Sequence, residues 1–315
     1  MQINFNAHGA ENQGLNAFLL ILLAEICLVT MGHFVKFLTL SLDTMTVFVV
    51  VQVMSIVLLL PVILVRGVGR LRTPNIGLHS VRCVVGVTSM CLIFYAYQQL
   101  DLSLATLLKL LSPAFIPFAA VLVLGEKPYI STLVALAIAL VGVAVSINID
   151  LKESTHVYGV IAATLAALLA AFGKSLVRRI GRNEGADVIA FYFACFGALL
   201  SVPVWLLQGG SLTIVMGLSV NSLWLLLLVA SLATLGQYTA TVAYTKHRAA
   251  VVGLFTYMAL PIAGVIGVAF WGDQISNAFL LGSALILMAG LIGSSARLTR
   301  TPQQNRSVER RNSKV

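Results

Sequence analysis

The chain has 315 residues, of which 59% are hydrophobic and only 10% are charged. A soluble protein of this length carries about 25% charged residues to cover its surface, so a water-soluble globule is excluded. The net charge of +9 does not indicate nucleic-acid binding, because the basic residues lie in short clusters between apolar stretches.

The apolar stretches are about 20 residues long, the length that a helix needs to cross about 30 Å of hydrocarbon. They predict an all-α integral membrane protein with connections too short to hold a soluble domain. A polar segment (1–16) precedes the first helix, and a basic, disordered tail (297–315) follows the last. The ten predicted transmembrane helices are 17–38, 44–65, 77–98, 103–124, 129–148, 158–178, 188–207, 222–243, 249–271 and 278–296.

The lysines and arginines predict the orientation, because cytoplasmic connections of membrane proteins are enriched in both. Sixteen of the 20 fall in the connections after even-numbered helices or in the tail. Only Lys36 and Lys152 fall on the opposite side, while Lys109 and Lys174 lie within spans. We therefore expect a multi-pass protein of the cell (inner) membrane with both termini in the cytoplasm.

Landmarks of the first half recur in the second half at a nearly constant distance. Pro113 and Pro261 lie 148 positions apart, and so do Gly142 and Gly290. Because each half has five helices, an odd number, the second half enters the membrane in the opposite orientation. Inverted repeats are typical of secondary transporters, whose substrate site lies at the repeat interface. The prediction is two inverted five-helix repeats around a central cavity, at 17–148 and 158–296.

These landmarks are similar to those of the EamA family of the drug/metabolite transporter superfamily. The similarity runs from about residue 15 to 296 and rests on a proline within helix 4, a glycine-acidic pair closing it, a weaker copy in the second half, and an arginine opening helix 3. These are Pro113, Gly125-Glu126, Pro261, Gly272-Asp273, and Arg82 followed by Phe94-Tyr95-Ala96. The resemblance implies a ten-helix bundle whose cavity is lined largely by helices 1, 3, 4, 6, 8 and 9. It also implies movement of small metabolites such as amino acids, often outward.

Charged residues within spans are the sharpest site candidates, because a charge at mid-bilayer costs about 2.5–3.5 kcal/mol on insertion scales. Glu25 lies near the middle of helix 1, where it is a candidate for cation binding or proton coupling. The alternative is a carboxylate that pairs with a neighbouring helix for assembly. Lys109, one turn before Pro113, would favour a carboxylate or phosphate on the substrate. Its alternatives are an ion pair with Glu25 or Asp101, or an ammonium that extends to the outer surface.

Further polar residues are weaker candidates for substrate or coupling contacts. Tyr257 takes the place of Lys109 at the 148-residue offset. Lys174 lies near the cytoplasmic end of helix 6, where it either contributes to the site or extends to the membrane surface. His33 either titrates near physiological pH or is a satisfied interfacial histidine. Tyrosines near membrane interfaces are common without a transport role, but we include the polar residues of helices 3 and 8: Tyr95, Tyr97, Gln237, Tyr238, Thr241 and Tyr244.

Pro113 and Pro261 are candidate hinges, because proline removes a backbone hydrogen bond within a helix; a static kink is the alternative. The four cysteines all fall in apolar segments, which indicates packing residues rather than disulfides or metal ligands. We expect no cofactor and no metal.

Together these features predict a secondary active transporter for a small polar metabolite, an amino acid or another carboxylate-bearing compound. It would work by alternating access, with proton coupling and with export favoured. The alternatives are an importer of a larger or nucleotide-like compound, and a lipid flippase or hydrophobic-drug exporter. An enzyme is not expected, because the sequence lacks HExxH, GxSxG, a P-loop and paired intramembrane aspartates. The expected partners are the substrate, membrane lipids and protons, with no nucleic acid, and the expected state is a monomer or a homodimer.

Overall fold

The computed structural model describes residues 5–124, 154–246 and 255–298, with a few single positions between them, and every element in this part is helical. Gly125, Glu126, most of the predicted fifth helix and the tail beyond residue 298 lie outside the described residues. The helices are α1 (Phe5–Leu38), α2 (Thr44–Arg66), α3 (Ile76–Gln99), α4 (Leu102–Lys109), α5 (Ser112–Leu124), α6 (Ser154–Ile180), α7 (Ala186–Leu207), α8 (Leu212–Met216), α9 (Val220–Lys246), α10 (Ala259–Ile266) and α11 (Asn277–Leu298).

Six of the described helices contain a segment that is long and apolar enough to cross a membrane. Many of their apolar side chains point outward: Val57 is 65% exposed and Leu199 is 66% exposed. Such side chains on all outer faces of a bundle suit contact with lipid rather than with water. The six segments that could cross a membrane are Phe18–Leu38, Thr44–Arg66, Ile76–Gln99, Val157–Ile180, Ala186–Leu207 and Val220–Lys246. The chain is therefore a multi-pass membrane protein.

Two predicted helices are interrupted in the structure. The predicted helix 103–124 divides into α4 and α5, with a turn at Leu110 and Leu111. In the predicted helix 249–271, α10 starts only after a turn at Tyr257 and Met258, and a π-helical turn, Gly267–Trp271, extends it. Each break comes just before a proline, Pro113 or Pro261. A proline ring removes one backbone donor and clashes with the preceding turn, which explains both breaks.

Two further boundaries differ from the prediction. Helix α1 begins at Phe5 instead of residue 17. No proline lies in residues 5–16 to stop the helix, so it continues beyond its apolar part. The short helix α8 lies in a connection, where its five residues are too few to register as a span.

The helices surround a common centre. Helix α3 packs most extensively against α6, α1 against α9, and α2 against α7, while α4 contacts both α6 and α10. Glycine makes several of these approaches possible. A Cβ on Gly236 of α9 would lie 2.8 Å from Leu28 Cγ of α1, and one on Gly159 of α6 would lie 2.8 Å from Leu100 Cγ beside α3.

Polar contacts join the helices at both ends of the bundle. At one end, Lys36 Nζ donates a hydrogen bond to the Leu100 carbonyl at 3.0 Å. At the other end, the Glu184 carboxylate between α6 and α7 accepts hydrogen bonds from Thr73 and from Asn75 Nδ2, and its Oε2 lies 2.6 Å from His79 Nε2. The space between these two ends holds the candidate site.

Candidate functional site

A cavity of about 150 Å³ lies between α1, α3, α4, α5, α6, α7 and α9. Most of its wall is apolar and comes from residues such as Leu28, Met31, Met90, Ile93 and Phe193. The family resemblance implies a contribution from helix 9, but the described residues of α10 line no part of this cavity, whereas α7 contributes Phe193. Seven of the predicted site residues line it: Glu25, Tyr97, Lys109, Lys174, Gln237, Thr241 and Tyr244.

Glu25 and Lys109 form an ion pair across the cavity. Glu25 Oε2 lies 3.7 Å from Lys109 Nζ, and the two side chains are 6% and 23% exposed. Of the alternatives for Lys109, the pair with Glu25 is the one that forms, while Asp101 is exposed at the start of α4. A separation of 3.7 Å is too long for a hydrogen bond. Glu25 Oε2 accepts none from the described residues, so it keeps the capacity to bind a substrate donor.

Lys174 faces inward rather than extending to the membrane surface. Its Nζ lies 5.8 Å from the centroid of the Tyr244 ring, and both side chains line the cavity. An ammonium over the face of an aromatic ring is stabilised by the ring quadrupole. This contact keeps the second intramembrane lysine next to the site, where the sequence alone favoured the surface.

Helix α9 supplies a polar strip of the wall. Gln237 and Thr241 are one turn apart and both line the cavity. The Thr241 hydroxyl donates to the Gln237 carbonyl at 2.7 Å, which leaves its oxygen lone pairs and the Gln237 amide for other partners. On the opposite side, Tyr97 packs over Gly32, where a Cβ would come within 2.9 Å of Tyr97 Cζ.

Four predicted residues lie away from the cavity. His33 Nδ1 accepts a hydrogen bond from Trp271 Nε1 at 2.9 Å, the arrangement of a satisfied interfacial histidine. Tyr238 packs in a small cluster between α2, α7 and α9. Tyr257 is 5% exposed within the main apolar core, and Tyr95 is half-buried on α3.

The break between α4 and α5 lies at the site itself. Lys109 is the last residue of α4, and Ser112, the first residue of α5, also lines the cavity. Pro113 follows directly, so a change in the angle of this break moves the Lys109 ammonium relative to Glu25. Pro261 lies in the first turn of α10, just after the break at Tyr257 and Met258, and α10 contacts both α1 and α4.

One important residue was misassigned from the sequence. The orientation argument counted Arg82 among the cytoplasmic connections, but it lies in the second turn of α3, is 5% exposed and lines the cavity. An arginine close to a predicted span end looks the same in the sequence whether it faces lipid headgroups or the interior. Ser89 was also missed; its hydroxyl donates to the Ala166 carbonyl at 2.7 Å and ties α3 to α6.

The charges of the cavity wall are unbalanced. Arg82, Lys109 and Lys174 are cationic at their ordinary ionisation, whereas Glu25 is the one carboxylate among the described lining residues. No group of three or more histidine, cysteine or acidic side chains suited to a metal ion occurs in the part of the chain that the structure describes. The wall therefore has the chemistry to hold an organic molecule with an apolar body and an anionic group.

Known transporters resemble this chain over most of its length. A riboflavin transporter of Brucella anthropi is 27% identical over 239 residues, which is 76% of this chain and 84% of that protein. The pseudopaline exporter CntI of Pseudomonas aeruginosa is 25% identical over 232 residues, 73% of this chain and 80% of its own. An uncharacterized transporter of Helicobacter pylori is 28% identical over 288 residues, 87% and 92% of the two chains.

The fold is also shared with a solved protein. A crystal structure superposes with a TM-score of 0.62 over 90% of this chain and 97% of the other, at 19% sequence identity. The model of the EamA-like transporter family matches residues 15–148, which carry Glu25, Arg82, Lys109 and Pro113. The first half of the chain thus matches the EamA-like transporter family, and the relatives that cover most of the chain are transporters.

Proposed function

We propose that this protein is a secondary active transporter for a small polar metabolite that bears a carboxylate or a similar anionic group. The observation that carries the proposal is the excess of positive charge in a buried, mostly apolar cavity. Unpaired charges are costly inside a bilayer, because no water is present to solvate them. A bound anion compensates them, so the site favours an anionic substrate over a neutral one.

The proposed architecture is ten transmembrane helices in two inverted repeats, at 17–148 and 158–296. Helix α4 with α5 would be the fourth span, and α10 with the π-helical turn would be the ninth. An inverted repeat exchanges the first span with the sixth and the third with the eighth. The two extensive pairs α1–α9 and α3–α6 are then equivalent, which supports the proposal.

The two helix breaks also support the repeat. In the first half, the two turn residues, Leu110 and Leu111, lie three and two positions before Pro113. In the second half, Tyr257 and Met258 lie four and three positions before Pro261. Nearly the same offset that relates the prolines thus relates the breaks. We infer that both serve as hinges for alternating access, in which one repeat rocks against the other around the site.

Glu25 is the proposed coupling group. It is the carboxylate of the described cavity wall, and its contact with Lys109 is close enough for attraction but too long for a hydrogen bond. A proton or a cationic substrate that binds Glu25 would weaken its attraction to Lys109. The Lys109 side chain would then be free to move toward Ser112, next to the break between α4 and α5. Export across the inner membrane, with both termini in the cytoplasm, is the proposed direction, and the relative named as an exporter supports it.

One alternative has support of its own. The relative named as a riboflavin transporter and the aromatic side chains Tyr97, Phe193 and Tyr244 on the wall favour a larger aromatic compound. The cavity volume of about 150 Å³ favours a smaller molecule in this conformation.

The test is transport by the purified protein in liposomes with an imposed pH gradient. A panel of carboxylates, their uncharged amides, amino acids and riboflavin is compared by release of the preloaded compound. We expect carboxylates to move faster than their amides, and Lys109→Gln to reduce this preference. Equal flux of acid and amide would contradict the proposal, and selective flux of riboflavin or of lipid would support the alternatives instead.

A further inference from the structure

The Arg82 guanidinium is buried, and one of its nitrogens has no hydrogen-bonding partner among the described residues. The residue is 5% exposed, and this nitrogen is Nη1. The ionisable side chain beside it is the thiol of Cys83, a weak acceptor. No described carboxylate lies within ion-pair distance of it. A buried arginine in a membrane protein needs a counter-charge, and a bound ligand can supply the one that the described residues do not.

An aromatic platform holds this guanidinium at the cavity wall. Arg82 Cζ lies 4.1 Å from the centroid of the Phe193 ring. The ring fits against α3 because residue 86 is glycine: a Cβ there would come within 2.8 Å of Phe193 Cε2. The ring lies over one face of the guanidinium, and Nη1 on its planar edge stays available to a ligand. This edge matches the two oxygens of a carboxylate or phosphate.

A second cation lies on the facing helix at the same level. Ser89 of α3 bonds Ala166 of α6, and Gly159 of α6 contacts Leu100 just after α3. Residue numbers therefore rise along α3 as they fall along α6. Seven residues back from Ser89 is Arg82, and seven residues on from Ala166 is Gly173, the neighbour of Lys174. Both cations line the cavity, and a Cβ on Gly173 would meet open space.

We propose that Arg82 is the anion-binding residue of the transport site. Its guanidinium binds the carboxylate or phosphate end of the substrate through two parallel hydrogen bonds, and Lys174 adds the second positive charge. The apolar body of the substrate lies along Met90, Ile93 and Phe193. The substrate class is thus an amphipathic organic anion with one terminal acidic group, a statement that rests on the proposed function.

The test compares three probes of similar shape on the purified, full-length protein: phenylacetate, uncharged phenylacetamide, and phenyl phosphate. A ligand that binds only the folded protein raises its unfolding temperature. We expect phenylacetate or phenyl phosphate to do so and phenylacetamide to have no effect at the same concentration. The more effective anion distinguishes a carboxylate site from a phosphate site.

Variants then assign the effect to Arg82. Arg82→Gln is expected to weaken the response to the anion by about tenfold or more, and Arg82→Lys by less, because lysine keeps the charge but not the planar fork. Lys174→Gln should produce a smaller loss. If Arg82→Gln does not fold, Arg82→Lys and the acid–amide comparison on the unmodified protein decide the question. Equal stabilisation by the acid and the amide, or an unchanged response in Arg82→Lys and Arg82→Gln, would overturn the proposal.

Transport of the same probes in liposomes distinguishes a failure of the anion-site proposal from a failure of the proposed transport function. Binding that depends on Arg82 without any flux would contradict the transporter and leave the anion site standing. Flux that is equal in the unmodified protein and in Arg82→Gln would contradict the anion site and leave the transporter standing.

Discussion

Glu25 and Lys109 approach each other inside the bundle, where water solvates neither charge fully. The stability of each charge therefore depends on the other. The carboxylate is almost fully buried, whereas the ammonium keeps partial access to the cavity. Removing one member of a buried pair strands the other, which costs more than removing both. The pair is therefore best probed by changing its members one at a time and together.

The first prediction concerns this coupling. We expect Glu25→Gln to lower the free energy of unfolding by less than the about 3–5 kcal/mol typical of a fully buried pair, because Lys109 is partly exposed. The double variant Glu25→Gln with Lys109→Gln should be more stable than the sum of the single effects. Chemical unfolding in detergent measures all three proteins. Strictly additive losses would show that the two charges do not interact.

The second prediction uses the open space beside Gly173. Gly173→Ala should raise stability by about 0.5–1 kcal/mol, because alanine favours a helix and its Cβ meets nothing within 4 Å. Gly173→Leu should fill the cavity and reduce ligand binding while the protein stays folded. Gly236→Ala is the matched control: its Cβ would lie 2.8 Å from Leu28 Cγ, so it should destabilise. Undiminished ligand binding by Gly173→Leu would place the substrate elsewhere.

Breaks in α4–α5 and before α10 distinguish these helices from the continuous ones around them. A straight fourth span would hold Lys109 in one register with respect to α1. In the proposed hinge, α4 would tilt against α5, and Lys109 would approach or leave Glu25 while α5 keeps its packing on α6. Movement at an element boundary of this kind is how hinges absorb a conformational change.

A third prediction tests the hinge. Pro113→Ala restores a backbone donor in the first turn of α5, and we expect it to slow transport several-fold more than it weakens ligand binding. Pro61→Ala is the control, since Pro61 lies on the exposed face of the continuous helix α2. Liposome flux and ligand-induced stabilisation are measured on each. Parallel loss of flux and binding in Pro113→Ala would indicate a static kink instead.

The contact between the α2–α3 connection and the α6–α7 connection yields a fourth prediction. Burial alone would raise the pKa of Glu184, but hydrogen bonds from Thr73, His79 and Asn75 lower that pKa below its usual value of 4.5. A carboxyl with a lowered pKa in the folded state stabilises the protein above pH 4.5, and this stabilisation disappears as the pH falls through the lowered pKa.

We therefore expect Glu184→Gln to be less stable than the unmodified protein near neutral pH. The difference in unfolding temperature between the two should shrink below pH 4.5. Unfolding curves across that range measure it. A difference that stays constant down to strongly acidic pH would mean that the charge of Glu184 contributes nothing.

The whole molecule has a sidedness that its charges predict. Arg182 lies before α7 and Gln208 follows that helix, so the two are at opposite ends of one span. In a cysteine-free background, a membrane-impermeant thiol reagent applied from outside should label Gln208→Cys and leave Arg182→Cys unmodified. The reverse pattern would invert the orientation, and labelling of both positions would contradict a span at α7.

Much of this molecule can be predicted residue by residue along the chain. The six described spans match predicted ones to within a few residues, because the length of an apolar run and the placement of charges are local properties. Glu25 and Lys109 are conspicuous for the same reason: a charge inside an apolar run is visible without any structure. The interruption at Pro113 follows from the chemistry of proline, although its exact position does not.

The direction in which each side chain points could not be read in the same way. Successive residues of a helix rotate by about 100°, so the residue that faces the cavity depends on how the helix is turned by its neighbours. His33 and Tyr257 therefore lie away from the cavity, whereas Lys174 and Arg82, which resemble surface charges in the sequence, line it. The length of the apolar runs and the placement of the charges are enough to predict a multi-pass membrane protein. Packing of α1, α3, α4 and α6 is what brings Glu25 together with Arg82, Lys109 and Lys174, because that arrangement depends on contacts between residues far apart in the chain.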